Sequence, residues 1–202
     1  MWKNRDISIQ EYLSLGYIFL LILGILGDTI YYHLLGINII SYSSVLDVLL
    51  SPIYLLTENL AVPIVTVFAI ALMYYTRVKF SPKFHEKNKL KKWYKKIYNV
   101  EQLDKRYSTE ISHNHILQLS AFAILALFVG LRTGAGLTVK KKMEGGSLKL
   151  NHNIIFRDAE QLNAAIVGQN SLYIFYVAEE DNKLTISPIE GNIKKILKIK
   201  SD

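Results

Sequence analysis

The chain has 202 residues, half of them hydrophobic, no cysteine and a formal net charge of +7, and its positive mean hydropathy is one that soluble domains seldom reach. The missing cysteines exclude a disulfide framework, a thiolate metal site and a cysteine nucleophile. The charge is a local patch: between Asp6 and Thr76 there is no Lys or Arg and the acidic residues are Glu11, Asp28, Asp47 and Glu58, whereas eleven of the 24 Lys and Arg residues fall in 77–106. The expected fold class is therefore an integral membrane α-helical bundle. It has about three transmembrane helices, an apolar re-entrant or interfacial connector, and a small C-terminal β-rich domain of SH3 or OB type.

Residues 1–80 read as the N-terminal membrane region. The first span, 12–35, is "YLSLGYIFLLILGILGDTIYYHLL", longer than the twenty or so helical residues that cross about 30 Å of hydrocarbon. Its charged start and apolar core resemble a signal peptide, but no Ala-x-Ala-like site follows and the sequence after Asp28 stays apolar, so it reads as a retained anchor. Gly24 and Gly27 suit close helix packing. Tyr31, Tyr32 and His33 read as an interfacial belt. Asp28 lies inside or near the end of the span, where an ionised carboxylate needs water, a partner or a proton.

The stretch 36–59 is apolar but broken by Asp47, Pro52 and Glu58. Its Ser-rich start offers Ser44 as a helix cap. It reads as a re-entrant or surface-lying connector on the outer face, with a full extra span as the main competitor. The second span, 60–76, is ended by Arg77 and Lys79.

Segment 81–114 is basic and amphipathic. Over 82–100 the spacing predicts one helix with Leu90, Trp93, Tyr94, Ile97 and Tyr98 on one face and Lys89, Lys91, Lys92, Lys95 and Lys96 around it. Anionic lipid headgroups are the first expected partner of this surface and a cytoplasmic protein the second; direct nucleic-acid binding is a distant third. His113 and His115 could clasp a metal, but His-x-His without a third ligand is a weak signal, and helix capping beside the next span accounts for it better. No metal and no cofactor are expected.

The third membrane helix, 115–139, has sixteen residues, 116–131, before Arg132, and crosses if Arg132 snorkels or lies at the interface. "GLRTGAG" is no Walker loop, because no strand precedes it and no Gly-Lys-Ser/Thr ends it. Gly130 and Gly134 have instead the small-residue spacing that lets two membrane helices approach. From 143 to 202 the texture becomes β-rich, with runs "SLKL", "NIIF", "LYIFYV" and "KLTISPI" and a hairpin loop at "AEEDN". In "LYIFYV" both faces are apolar, so this strand is expected to be covered on both sides.

Nine Lys and Arg residues in 77–96 place that loop in the cytoplasm of a bacterial plasma (inner) membrane and the C-terminal domain outside it, against the weaker contrary signal of Lys140, Lys141 and Lys142. No catalytic constellation is legible. The expected function is that of a non-enzymatic, homo-oligomeric sensor or docking subunit of a signalling or defence (anti-phage type) system, coupling the β-domain to a cytoplasmic partner through the Lys-rich helix. The alternative is a membrane-permeabilising effector or small ion channel gated at the β-domain, with Asp28, Asp47, Glu58 and Arg132 as its polar residues.

Overall fold

The computed structural model describes residues 8–58, 60–108, 113–179 and 183–199, with the side chains of 58 and 113–116 outside the description. It is mostly helical, with three long apolar helices and a C-terminal antiparallel sheet. Two compact units emerge: Met1–Leu55 with Phe128–Asp202, and Leu56–Leu127.

In the first unit, α1 (Ile9–Leu34) begins at a capping box in which Ser8 and Glu11 bond each other's backbone N–H. It ends in a Schellman turn: Ile37 N–H reaches Tyr32 C=O, Gly36 N–H reaches His33 C=O, and Gly36 takes the left-handed conformation that only glycine adopts freely. A 3-10 turn (Ile39–Ser41) leads to α2 (Val45–Glu58), capped by Ser44 and Asp47 in the same reciprocal way. Fourteen residues of α2 rise only about 21 Å, too short to cross about 30 Å of hydrocarbon.

In the second unit, α3 (Ala61–Tyr75) continues through a π-helical turn (Thr76–Phe80) into α4 (Ser81–Asn88). Pro82 has no N–H to offer Val78, and the ladder widens there, Ser81 N–H reaching back to Thr76 C=O. Two short helices follow, α5 (Lys92–Ile97) and α6 (Val100–Ser108). The single amphipathic helix expected over 82–100 is thus broken after Asn88. Asn88 folds back onto Phe84 C=O and Asn99 caps α6, and side chains that bond their own backbone end helices.

The last helix, α7 (His113–Glu144), is 32 residues long and carries Gly130, Gly134 and Gly136 inside it. A second Schellman turn, with Gly146 left-handed, stops it. The run "SLKL" therefore serves as the connection out of the helix and forms no strand. The sheet contains β1 (His152–Phe156), β2 (Gln161–Gln169), β3 (Tyr173–Ala178), β4 (Leu184–Pro188) and β5 (Ile193–Lys198), all antiparallel, in the order β4-β3-β2-β1-β5. The tip of the β3–β4 connection, 180–182 in "AEEDN", lies outside the described residues.

The SH3- or OB-type barrel expected from the size of the domain is not formed among the described residues. Bulges at Ile155/Phe156 and Ile166/Gly168 curl the sheet, but β4 and β5 stay at opposite edges without pairing. The sheet is packed on both faces. Ile174 and Tyr176 pack with Ile154, Phe156 and Ala164 in the sheet's own core, while Phe175 and Tyr173 pack on Tyr31, Tyr32, Leu35, Ile37, Ile39 and Tyr42. The two apolar faces of β3 are covered as the alternation requires, and the covering neighbour is the end of α1 with its connector.

Candidate functional site

Two features of the first unit bring functional side chains together. The first is a polar node on three helices. Ser51 of α2 donates to Asp28 of α1 at 2.6 Å, and one nitrogen of Arg132 on α7 donates both to Asp28 and, at 2.7 Å, to Ser51. The node is closed: Asp28 is 7% exposed, and the Arg132 guanidinium lies 5.4 Å from the Tyr31 ring. Arg132, expected from the sequence to reach for an interface, is thus engaged within the helices, and Asp28 in the apolar part of α1 supplies its partner.

Glycines make this approach possible. A Cβ on Gly27 would meet Arg132 Cγ at 3.2 Å, and one on Gly24 would collide with the Val48 carbonyl of α2. A Cβ on Gly136 would stand 2.8 Å from Leu34. Gly27 and Asp28 meet Arg132, and Leu34 meets Gly136 farther along, so α1 and α7 run parallel. Gly130 and Gly134 have nothing within 4 Å of an added Cβ and face open space.

The second feature is the seat of the sheet. Tyr31 donates its hydroxyl to Val167 C=O at 2.6 Å, and the Tyr32 hydroxyl occupies the space a side chain on Gly168 would need. Both tyrosines are buried against Phe175, so they anchor the β-domain and do not form the interfacial belt expected of them. Asp47 completes the seat, accepting from Ser171 N–H and Ser171 Oγ, each at 3.0 Å, as well as from Ser44. Partial burial works to raise the Asp47 pKa, but the hydrogen bonds from Ser44 and Ser171 outweigh it and hold the carboxyl below its usual value. Asp28 and Arg132 thus meet, Asp47 serves the sheet, and Glu58 has its side chain outside the described residues.

The second unit is centred on His85, 1% exposed. Its Nε2 lies 2.9 Å from Asp104 of α6 and its Nδ1 3.0 Å from the Tyr94 hydroxyl of α5. The trio resembles the orienting half of a catalytic triad, but the imidazole is enclosed and both nitrogens are used, so it staples α4, α5 and α6 together. The His85 bond, helped by Lys89, holds the Asp104 carboxyl below its usual range. Lys89 is held above its usual value by Glu86, 2.7 Å away. Tyr94 is therefore a core residue, whereas Trp93, Ile97 and Tyr98 are exposed alongside Lys91, Lys92, Lys95 and Lys96.

His113 and His115 open α7 with side chains outside the described residues, and among the described residues no three His, Asp or Glu side chains converge as metal ligands do. No family model, curated protein or solved structure matches the chain. Ser51 and His85 gave no signal in the sequence. Asp28 and Arg132 did, each being the isolated charge in a long apolar stretch.

Proposed function

We propose that the chain is a multi-pass membrane protein in which the C-terminal sheet is a sensing or docking module, coupled mechanically to the helix pair α1–α7. The seat of the sheet carries this reading: Tyr31 is hydrogen-bonded to Val167 and lies over Arg132, so a displacement of β2 acts directly on the Asp28–Ser51–Arg132 node. Support for the membrane comes from α3, which is apolar all round and has no buried residue. Such a helix suits lipid and would be insoluble in water. The helices Ile9–Leu34, Ala61–Asn88 and Leu117–Glu144 have the length and hydropathy to cross.

The parallel course of α1 and α7 bears on the topology. If both cross, the chain between them must cross an odd number of times, which the continuous helix Ala61–Asn88 satisfies alone and a crossing α2 would spoil. With nine Lys and Arg residues in 77–96 held in the cytoplasm, the sheet is extracytoplasmic. The Lys-rich face with Trp93, Ile97 and Tyr98 is the surface for headgroups or a cytoplasmic partner, and Gly130 and Gly134 are free for a second copy.

Hydrogen exchange of Tyr31→Phe protein in bilayers tests the coupling. Loss of protection around Asp28, Ser51 and Arg132, together with loosening of β2, is the expected result; a loosened sheet with an unchanged node would remove the reading. The charges inside apolar helices favour a second reading, a ligand-gated permeation path opened by parting Asp28 from Arg132. Liposomes containing the protein that leak no ions under any load on the sheet would dismiss it.

A further inference from the structure

We propose that the second unit holds a site for one anionic phospholipid of the cytoplasmic leaflet, its phosphate bound by Arg77 and Arg106 and one acyl chain lying along α3. The proposal rests on the membrane reading given above and names a ligand and a site that the Lys-rich face does not supply.

A cleft of about 440 Å³ opens here, within the range of roughly 300–1,000 Å³ usual for small-molecule sites. Its lining is mostly apolar, with Val67, Ile70 and Tyr74 from α3 and Leu119 from α7, and it also includes Arg77 and Arg106. From Val67 to Arg77 the helix rises about 15 Å, half of a hydrocarbon core of about 30 Å. The apolar stretch is thus about one leaflet deep, and Arg77 is the first cation that follows it in the chain.

Among the described residues the two guanidiniums also lack the carboxylate partner such groups seek. Among the described residues neither forms an ion pair: Arg77 lies 5.4 Å from the Tyr107 ring, and Asp104, two residues before Arg106, is engaged by His85 and Lys89. A planar guanidinium fork matches a phosphate's oxygens and is weakly hydrated, which suits it to the edge of a bilayer better than a lysine. Basic pockets between membrane helices on the cytoplasmic side are where anionic headgroups settle. An apolar cleft lined by two arginines that form no ion pair among the described residues fits a lipid that has both parts; a free phosphate would leave the apolar part empty.

The test is native mass spectrometry of the purified full chain, delipidated in detergent and titrated with phosphatidylglycerol or phosphatidylcholine of identical acyl chains. One phosphatidylglycerol should be retained with a preference of about tenfold or more, as expected for two arginines. R77Q/R106Q should abolish the preference, and Val67→Trp, which fills the cleft but keeps both arginines, should abolish retention. The variant K194Q/K195Q, which removes two exposed cations of β5, should leave both unchanged, and glycerol phosphate alone should not compete. Equal retention of the two lipids, a preference that survives R77Q/R106Q, or one that vanishes with the lysines would overturn the site. Release of the protein from membranes by alkaline carbonate would instead defeat the membrane reading itself.

Discussion

Replacing Arg132 by Met removes the cation from a node in which the Asp28 and Arg132 side chains are only 11% and 19% exposed. Arg132 donates to both Asp28 and Ser51, so its loss leaves the carboxylate with a single hydroxyl donor in an apolar setting. Removing one partner of a buried ion pair typically costs about 3–5 kcal/mol, and a lone carboxylate inside a bilayer about 2.5–3.5 kcal/mol on insertion scales. Arg132→Met should therefore destabilise the helix assembly by roughly 3 kcal/mol. The double variant Asp28→Leu/Arg132→Met should recover most of this, because apolar residues of similar volume replace buried pairs at little or no cost. Unfolding in mixed micelles with increasing dodecyl sulfate, followed by circular dichroism, measures all three proteins against the parent. Additive losses in the double variant would refute the pairing and leave Arg132 as a residue that merely reaches the interface.

Glycine replacements should separate two kinds of packing. Gly24→Ala drives a methyl into the Val48 carbonyl and should lower stability by about 1–3 kcal/mol, whereas Gly16→Ala, with nothing within 4 Å, should leave it unchanged in the same titration. Gly130→Leu and Gly134→Leu also face open space; they should leave unfolding alone and reduce self-association, read as Förster transfer between labelled copies in bilayers. His85→Ala strands the Tyr94 hydroxyl and should open the α4–α6 cluster by about 1–3 kcal/mol, seen as faster protease cleavage in 81–108. The depressed Asp47 pKa makes the seat acid-sensitive: its contribution is complete above the carboxyl's unfolded value of 3.8 and is lost as pH falls through the lower folded value. Hydrogen exchange at 170–172 should rise over that acid range in the parent, and Asp47→Asn should already show the raised exchange at neutral pH.

Much of the architecture was legible because apolar length is a direct signal. The three long helices, the Ser44 cap and the doubly covered β3 follow from run lengths, side-chain types and alternation. The open sheet was not legible, since the size of a domain cannot say whether its edges pair, and here the end of α1 packs on the face of β3 that carries Phe175. β2 was missed for a related reason: "QLNAAIVGQ" has small residues where Tyr32 approaches, so it lacks the bulky alternation of its neighbours. The break in the basic segment depends on Asn88 and Asn99 turning back on the backbone, which the apolar spacing of Leu90, Trp93 and Ile97 masks. Asp28 and Arg132 stood out singly, but their meeting depends on the parallel packing of helices 104 residues apart.

Sidedness is the most direct measurement of the central claim that α1 and α7 cross in parallel with a single crossing between them. The chain has no cysteine, so Lys194→Cys on β5 and Lys95→Cys on α5 each supply a unique thiol for a membrane-impermeant maleimide. In intact cells stripped of their outer layers, Lys194→Cys should label at once and Lys95→Cys only after the membrane is permeabilised. Labelling of both positions from the same side would contradict the account.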